Sequence, residues 1–246
     1  MPASKSSPKT ALITGAARRI GRAIALDLAR DGWDIAIHYR DSQSEAEQLV
    51  QELRKLGVKS AAFTADLAQF KELKGLVDRV GDGMGAPTCL INNASEFLLD
   101  SPVSVDEATW DKHLDINLKA PVFLAQAMVR NHPEGTHGNI INIIDQRVWK
   151  LTPEFFSYTI SKAGLWTATR TLAQALAPRV RVNAIGPGPV LRSVHQDDAA
   201  FSAEQASTLL GRGPTPEEIA AAVRFILSAS SMTGQMIALD GGQHLS

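Results

Sequence analysis

The chain has 246 residues, of which 44% are hydrophobic and 21% are charged, and its 25 Lys and Arg residues nearly balance its 26 Asp and Glu residues. This mixture excludes a mostly disordered chain, and the balanced charge argues against nucleic acid or an anionic lipid surface as a partner. The single cysteine, Cys89, excludes an intramolecular disulfide and a cysteine-based metal cluster. The longest unbroken apolar run, 219–223, is far shorter than a membrane span, so we expect no membrane partner. Together with the single cysteine, this favours a reducing, cytoplasmic setting, and we expect no metal.

The first nine residues are polar and predict a flexible tail, and residues 10–246 predict a single domain. In that domain, short β-favouring runs alternate with longer amphipathic stretches. Strands are predicted at 10–14, 34–39, 59–64, 88–92, 139–144, 181–185 and 235–239, and helices at 20–31, 44–56, 70–82, 107–130, 157–177 and 216–228. Several strands are near-continuous apolar runs, as expected when helices cover both sheet faces. The pattern predicts an α/β fold with a Rossmann-type, doubly wound, parallel seven-stranded sheet.

The turn after the first predicted strand is rich in small residues and arginine. Glycine at such a turn allows backbone N–H groups to approach a pyrophosphate at the N-terminus of the next helix. The candidate cofactor-binding residues of this turn are Gly15, Arg18, Arg19, Ile20 and Gly21. A plain strand-to-helix turn would also accommodate two glycines, so this segment alone leaves both interpretations open.

The end of the second predicted strand indicates which dinucleotide is bound. An acidic residue there would bind the ribose 2′-hydroxyl of NAD, whereas basic residues suit the 2′-phosphate of NADP. The segment contributes His38, Tyr39, Arg40 and Ser42. Together with Arg18 these residues favour NADPH. Asp41 is a contrary sign, and an exposed loop with solvated charges is the alternative.

Further along the chain, short motifs follow one another in a fixed order. They are Asp66-Leu67, Asn92-Asn93-Ala94, Asn117 in the long helix, Tyr158-x-x-x-Lys162, Pro187-Gly188 and Asp240-Gly241-Gly242. Each motif is weak by itself, but the ordered series resembles the short-chain dehydrogenase/reductase family over nearly all of residues 10–245. The resemblance implies a dinucleotide-dependent oxidoreductase.

The resemblance also implies roles for individual residues. Further cofactor-binding positions are Asp66, Leu67, Asn93, Ala94, Ser95, Pro187, Gly188 and Val190. The first two are expected to flank the adenine, and the last two to lie near the nicotinamide amide. Asn117 is expected to hold a helix distortion and a water molecule beside Lys162.

The Tyr158–Lys162 spacing has a chemical reason of its own. Reduction of a C=O or C=N bond needs a hydride on carbon and a proton on the heteroatom. The pKa of a free tyrosine is about 10, and an ammonium group one helical turn away is expected to lower it. We therefore expect Tyr158 to act as proton donor, with Lys162 and Asn117 completing the catalytic set. A surface i, i+4 pair is the alternative.

Two positions depart from the common family pattern. Arg19 replaces the middle glycine of the first turn, and Asp145 replaces the serine that usually precedes the catalytic tyrosine by thirteen residues. Both departures occur together in pteridine reductases, which the sequence also resembles at Ser95, at Phe97 and at the His-Tyr pair ending the second strand. In that subgroup the pterin lies between the nicotinamide and the phenylalanine. The resemblance implies that the substrate is bound by Arg19, Ser95, Phe97, Asp145 and Tyr158.

The chemistry of a pterin agrees with this implication. A pterin is flat and aromatic, which suits Phe97, and its reduction protonates a ring nitrogen, which suits a carboxyl group at Asp145. The planar guanidinium of Arg19 can bridge a phosphate and a pterin carbonyl. The alternatives are that Phe97 is a core aromatic residue and that Arg19 contacts phosphate only.

The leading hypothesis is an NADPH-dependent reductase that transfers a hydride to a pterin of the dihydropterin or dihydrofolate type. The alternatives are a relative that acts on another carbonyl substrate, such as a 3-oxoacyl thioester, and a catalytically silent NADP-binding protein. Residues 187–214 are expected to form an irregular substrate loop. The resemblance and the apolar helix face near Trp166 predict a homotetramer.

The remaining residues of interest are predicted to be structural. His113, His132 and His137 lack metal-ligand spacing and are predicted at the surface. Trp149 is predicted either to pack at a structural contact or to wall the substrate site. Cys89 is predicted to be an inert core residue of the fourth strand.

Overall fold

The fold is a parallel sheet covered by helices on both faces. The computed structural model describes residues 9–193 and 195–246, so the predicted tail, apart from Lys9, lies outside the described residues. The strands are β1 (Thr10–Ile13), β2 (Asp34–Tyr39), β3 (Ser60–Thr64), β4 (Cys89–Asn92), β5 (Gly138–Ile143), β6 (Val180–Pro187) and β7 (Met236–Leu239). They form one seven-stranded sheet in the order β3-β2-β1-β4-β5-β6-β7, parallel throughout. This arrangement confirms the predicted fold class.

The helices follow the predicted alternation with two differences. They are α1 (Arg19–Arg30), α2 (Gln43–Lys55), α3 (Phe70–Met84), α4 (Glu107–Leu114), α5 (Ala120–Arg130), α6 (Phe156–Leu176), α7 (Asp198–Ala206) and α8 (Pro216–Ser228). The predicted single helix at 107–130 is α4 and α5 joined by a π-helical turn, Asp115–Lys119. The predicted irregular stretch contains α7, which is capped by the side chain of Asp197 but buries none of its residues. Since α7 has no buried stripe, the hydrophobic pattern could not reveal it.

The core lies in two layers, one on each face of the sheet. Along β1, Ala11 and Ile13 pack into the layer beneath α1, α2 and α8, whereas Leu12 packs into the layer beneath α3, α5 and α6. Burial on both faces explains why the strand reads as a continuous apolar run. Cys89 is buried in the first of these layers, and burial raises the pKa of its thiol to about 12, as expected of an inert core cysteine. In the described part of the chain, no helix is long and apolar enough to cross a bilayer.

His38 connects the first turn to the end of β3. The backbone N–H of Gly15 donates to its Nδ1 over 3.1 Å, and its Nε2 lies 3.0 Å from the carbonyl oxygen of Ala65, to which it donates. The ring is buried, and this burial lowers the pKa of His38 to about 4, so the imidazole is neutral. The prediction that His38 binds a 2′-phosphate is therefore corrected. With both ring nitrogens bonded inside the protein, His38 supports the turn instead.

The prediction that His113 and His132 lie at the surface is wrong. His113 and His132 are both buried. His132 lies at the C-terminal end of α5, where its Nε2 contacts the hydroxyl of Thr136 over 3.1 Å. Histidine occurs both at protein surfaces and in cores, so the sequence alone could not show that these two side chains are buried.

The pKa of His38 makes stability depend on pH in a defined direction. The folded-state pKa, about 4, lies below the ordinary value of 6.5, so its contribution to stability is complete above pH 6.5 and is lost as the pH falls towards 4. The full shift corresponds to about 3 kcal/mol. We expect the free energy of unfolding to fall less steeply over this range in His38→Asn, which keeps an acceptor for Gly15. Denaturant unfolding at several pH values measures the two slopes, and equal slopes would contradict this role.

Candidate active site

A cavity of about 730 Å³ opens at the carboxyl ends of the strands. It lies where the neighbours of β1, namely β2 and β4, lead the sheet in opposite directions. Such a crevice is the usual ligand site of a doubly wound sheet. Every residue that the sequence assigned to the cofactor or the substrate lines this cavity, from Gly15 in the first turn to Val190 after β6. Asn117 is the one predicted catalytic residue that does not line it.

The first turn is packed too tightly for side chains at its two glycines. Gly15 has φ +62, and a Cβ atom on it would lie 3.1 Å from Cα of Ala94. A Cβ atom on Gly21 would lie 2.5 Å from the carbonyl oxygen of Gly15. The Asn93 side chain holds the turn by donating to the carbonyl oxygens of Thr14 and Gly15 over 2.9 and 3.1 Å. The turn therefore presents bare backbone at the N-terminal end of α1, as a phosphate requires.

Basic side chains surround the end of β2. A guanidinium nitrogen of Arg18 donates to the hydroxyl of Ser42. Arg40 donates to Asp41 over 2.6 Å and lies 3.5 Å from Glu96. Asp41 thus pairs with Arg40, and the side chains around the end of β2 form an exposed polar corner of the cavity. The two arginines and the serine are the donors that a 2′-phosphate could use here.

Asp240 packs against Gly188 and caps the Asp-Gly-Gly segment that follows it. A Cβ atom on Gly188 would lie 2.7 Å from Cα of Asp240. The Asp240 carboxylate accepts the backbone N–H groups of Gly242 and His244 over 2.9 and 2.8 Å. The Asp-Gly-Gly motif therefore folds the chain end against the loop that begins at Pro187. On the other side of the cavity, Asp66 accepts the N–H of Ala68 over 3.0 Å.

Asp145, Tyr158 and Lys162 lie together at the wall of the cavity. The Tyr158 hydroxyl donates to Oδ2 of Asp145 over 2.9 Å. The Lys162 ammonium donates to the carbonyl oxygen of Ile143 over 2.9 Å, and its Nζ lies 5.6 Å from the centre of the Tyr158 ring. The backbone N–H of Arg147 fixes the other carboxylate oxygen of Asp145 over 2.8 Å. The three predicted residues are thus brought together at one place in the cavity wall.

The electrostatics of this group correct one expectation. Burial, followed by the charge and hydrogen bond of Asp145, raises the pKa of Tyr158 well above its ordinary value, whereas Lys162 was expected to lower it. Burial also raises the pKa of Asp145 and lowers the pKa of Lys162 to about 8. Asp145 thus holds the phenolic proton in place, while the charge of Arg147 and a hydrogen bond with Ser95 act in the opposite direction. A group of this kind retains a proton at neutral pH and can release it into the cavity.

Asn117 organises the segment that follows β4. It lies in the π-helical turn between α4 and α5, so the predicted helix distortion is confirmed. Its Oδ1 accepts from the backbone N–H of Glu96 over 2.8 Å and from the Ser95 hydroxyl over 3.1 Å. Its Nδ2 donates to the carbonyl oxygen of Glu96 and to the Ser161 hydroxyl over 3.0 and 3.1 Å. Asn117 therefore positions Ser95 from behind the cavity wall.

Stacked aromatic rings form the part of the cavity wall next to Tyr158. The Phe97 ring lies 4.1 Å from that of Phe155 at an interplanar angle of 11°, and it meets Tyr158 edge-on at 4.7 Å. The Arg147 guanidinium lies 5.1 Å from the centre of the Phe155 ring. The His195 ring lies 6.1 Å from Phe97, and its Nε2 is 2.9 Å from the Phe97 carbonyl oxygen. Phe97 is therefore a partly exposed wall residue beside Tyr158 and not a core aromatic residue.

Arg19 connects the first turn to the predicted substrate loop. It has φ +54, in the left-handed region that usually favours glycine. Its guanidinium donates to the carbonyl oxygens of Leu191 and Arg192 over 3.1 and 3.0 Å. A non-glycine residue in this conformation costs of order 1–3 kcal/mol, which points to a function for the side chain. Arg19 lines the cavity and connects the first turn to the predicted substrate loop by these two bonds.

Sequence reasoning missed several residues that line the cavity. They are notably Gln146, Arg147, Phe155 and His195. None belongs to a motif, and each reaches the cavity only through the tertiary fold. Trp149 does not line the cavity, because it packs edge-on against His244 at 5.2 Å, and 44% of it is exposed. Among the described residues, no group of three or more His, Cys, Asp or Glu side chains is arranged to hold a metal ion.

Comparisons with known proteins agree with the fold and the motifs. The family model described as enoyl-(acyl carrier protein) reductase matches residues 15–244. A 3-oxoacyl-[acyl-carrier-protein] reductase, FabG, from Staphylococcus epidermidis is 33% identical over 245 residues, which cover 96% of this chain and 99% of the relative. The solved structure of FolM alternative dihydrofolate reductase 1 from Brucella suis, in complex with NADP, has 48% identity and a TM-score of 0.94, covering 97% of this chain and 96% of that one. A blue fluorescent protein from a metagenomic library, in complex with NADPH, has 32% identity and a TM-score of 0.89, covering 96% and 97%.

The packing of Gly21 can be tested against a matched helical glycine. A Cβ atom on Gly81 in α3 would meet nothing within 4 Å, whereas one on Gly21 would meet a backbone oxygen at 2.5 Å. We expect Gly81→Ala to raise the melting temperature slightly, since alanine favours a helix by about 1 kcal/mol over glycine. Gly21→Ala should lower it by several degrees because the first turn must move. Thermal unfolding measures both, and an unchanged melting temperature in Gly21→Ala would show that the turn yields freely.

Proposed function

The chain belongs to the short-chain dehydrogenase/reductase family, and from this membership we propose that it is an NADPH-dependent reductase that transfers a hydride to a pterin of the dihydropterin or dihydrofolate type. The observation that carries the substrate class is the hydrogen bond between Tyr158 and Asp145. The solved relative from Brucella suis, an alternative dihydrofolate reductase with 48% identity, supports the same substrate class.

The cavity fits a dinucleotide that carries a 2′-phosphate. Gly15 and Gly21 have no room for a side chain, so the backbone of the first turn is exposed at the N-terminal end of α1. At the end of β2, Arg18, Arg40 and Ser42 would bind the 2′-phosphate in place of the partners that they now contact. Two of the solved relatives contain NADP or NADPH. When bound, this cofactor supplies the hydride.

The chain's own residues manage the proton. Tyr158 faces the cavity and passes its hydroxyl proton to a ring nitrogen of the substrate. Asp145, whose pKa is raised by burial, is positioned to hold a second proton and return it to Tyr158 over their 2.9 Å bond. Lys162, held by the carbonyl oxygen of Ile143, is largely charged at pH 7 because its pKa is about 8, and it stabilises negative charge on the pair. The balance is one hydride to carbon and one proton to nitrogen.

The substrate would be held between the nicotinamide and the Phe97 ring. Phe155 covers one face of Phe97, so the other face serves the substrate. Arg19 and Ser95 line the same part of the cavity and offer donors to the acceptors of a pterin ring. Each of these assignments is made to a residue of the same cavity as Tyr158.

A 3-oxoacyl thioester is the second candidate substrate, favoured by the family model and by the relative from Staphylococcus epidermidis. Reduction of such a ketone develops negative charge on oxygen beside the catalytic tyrosine. Once Asp145 has passed its proton to Tyr158 it is ionised, and its carboxylate would then repel this charge. The same carboxyl group suits a ring nitrogen that must be protonated, and for this reason we favour the pterin.

Two partly exposed apolar surfaces support a homotetramer. One lies on α4 and α6 and includes Trp110, Ile160 and Trp166. The other lies on α8 and the sheet edge at β7, where Phe225 is 57% exposed. Surfaces on two different sides of a subunit allow two symmetry axes, which a tetramer needs. We also propose a cytoplasmic location, supported by the lone, buried Cys89.

Substitution of Asp145 separates the two substrates. Tyr158→Phe removes the proton donor, and Asp145→Ser removes the carboxyl group while restoring the commoner family residue. We expect each to lower kcat for a dihydropterin on the order of 10²-fold, and Tyr158→Phe to leave NADPH binding nearly intact. In the wild type, kcat should fall as the pH rises through the raised pKa of Asp145. Consumption of NADPH with each substrate measures these effects. A wild-type protein that ignores every dihydropterin but reduces an oxoacyl thioester would refute the proposal.

The preference for NADPH over NADH tests whether the basic side chains at the end of β2 bind the 2′-phosphate. We expect kcat/KM with NADPH to exceed that with NADH about tenfold, which corresponds to roughly 1.4 kcal/mol. Arg40→Ala and Arg18→Ala should each reduce this ratio by removing a charge-assisted contact to the 2′-phosphate. Steady-state kinetics with both cofactors measures the ratio, with Arg30→Ala at the far end of α1 as control. Equal kcat/KM values for the two cofactors in the wild type would contradict the assignment.

A further inference from the structure

Three polar side chains form a buried chain behind the active site. Asp100 is 5% exposed, and His113 and Ser157 are completely buried. The Ser157 hydroxyl donates to the Asp100 carboxylate, and the Ser157 backbone N–H donates to the same carboxylate over 3.2 Å. Nδ1 of His113 lies 2.6 Å from the Ser157 hydroxyl oxygen. Burial of polar groups is costly unless they are hydrogen-bonded, and these three side chains satisfy one another as a buried hydrogen-bond network.

The hydrogen bonds assign the protons of His113. The backbone N–H of Leu98 donates to Nε2 over 3.0 Å, so Nε2 carries a lone pair. The proton of the neutral ring is then on Nδ1, which donates to Ser157, and Ser157 donates in turn to Asp100. Every bond of the chain has one donor and one acceptor. A change of tautomer would break the bonds at both ends of the ring.

The chain joins two residues of the active site through their neighbours in sequence. Leu98 follows Phe97, and Ser157 precedes Tyr158. His113, on α4, contacts both neighbours and also meets the Tyr158 ring edge-on at 5.9 Å. The aromatic face and the proton donor are therefore connected through one imidazole. The ring centres of Phe97 and Tyr158 are 4.7 Å apart.

Asp100 extends this control to the second ring of the stack. Its backbone carbonyl oxygen accepts the N–H of Phe155 over 2.9 Å. Phe155 has φ +56 and stacks on Phe97 at 4.1 Å. The residue that ends the hydrogen-bond chain thus also holds the ring that covers the rear face of Phe97.

We propose that His113 is a positioning residue that sets the substrate face, by fixing the Leu98 backbone so that Phe97 stands at a constant distance from Tyr158. This inference rests on the proposed function, because it assigns Phe97 to the substrate. His113 does not line the cavity. It acts through its bonds to Leu98 and Ser157 and through its edge-on contact with Tyr158.

The electrostatic surroundings keep His113 in the form that this role needs. Burial lowers its pKa, and the charge of Lys162 acts in the same direction, while Asp100 and Glu96 oppose them. Tyr158 is a further titratable group against the ring. The imidazole is therefore neutral at neutral pH. Protonation in acid would place an N–H on Nε2 against the N–H of Leu98 and release the loop.

Two substitutions at His113 separate its two bonds. Asn resembles the Nδ1 side of the ring and can still donate to Ser157, but it cannot reach Leu98. Gln resembles the Nε2 side and can still accept from Leu98, but it loses Ser157. We expect His113→Asn to raise KM for the dihydropterin about tenfold with KM for NADPH within about twofold, and His113→Gln to keep both values near those of the wild type. His132→Asn, a buried histidine at the far end of α5, is the control for a loss of stability alone.

The pH profile supplies a readout that a purely structural role would not move. In the wild type, KM for the dihydropterin should rise as the pH falls through the lowered pKa of His113. This rise should be absent in His113→Gln. If KM for pterin and KM for NADPH change together in His113→Asn, or if the control raises KM for pterin equally, His113 has a general structural role and the proposal is wrong.

Hydrogen exchange of the segment around residues 95–100 tests the inference without any substrate. The Leu98 amide should exchange faster in His113→Asn than in the wild type and stay protected in His113→Gln. If His113→Asn does not fold, His113→Leu serves instead, since it fills the buried space but also removes the acceptor of the Leu98 N–H and should likewise expose that amide. Unchanged protection in both would overturn the role of His113. Failure of the wild type to reduce any pterin, with protection lost as expected, would refute the proposed function and leave the positioning of the loop supported.

Discussion

The tight contact between the first turn and the segment after β4 is the constraint on which the rest of the structure depends. A Cβ atom on Gly15 would lie 3.1 Å from the backbone of Ala94, and Asn93 bonds back to the turn. This contact brings the carboxyl ends of β1 and β4 together at the place where the sheet divides. His38 fixes the turn from the other side with a neutral imidazole. The cavity exists because both loops leave the sheet here with almost no side-chain volume between them.

The Asp145–Tyr158 pair gives this cavity its chemical character. Many proteins share the family fold, so the fold alone does not decide the substrate. Burial, followed by the charge and hydrogen bond of Asp145, raises the pKa of Tyr158, and burial raises the pKa of Asp145 as well. Such a pair favours protonation of nitrogen over stabilisation of an oxyanion. For this reason we propose a pterin, the substrate class of the dihydrofolate reductase relative, over the substrate of the oxoacyl reductase relative.

The walls of the site are held by hydrogen bonds between segments that are distant in the chain. Asn117 supports Ser95 through a π-helical turn, and Arg19 binds the carbonyl oxygens of the substrate loop at Leu191 and Arg192. The Asp100–Ser157–His113 chain supports Phe97 in the same way. Bonds between distant segments allow the cavity to keep defined walls on loops that have no regular structure of their own. Precise walls on loops require such support, because a loop by itself is mobile.

The sequence by itself determined the fold class, the cavity-lining motifs and the grouping of Tyr158 with Lys162, since these depend on local pattern and on residues at short spacing. Gly15 could be assigned in the same way. Only the tertiary structure decided that His38 is buried and neutral, that His113 lies inside, and that Phe155 and His195 join the aromatic wall. It also decided that burial and the neighbouring Asp145 raise the pKa of Tyr158, where the spacing to Lys162 had predicted a lowered value. The physical reason is that burial and hydrogen-bond partners depend on contacts between residues far apart in the chain, which periodicity and spacing do not contain.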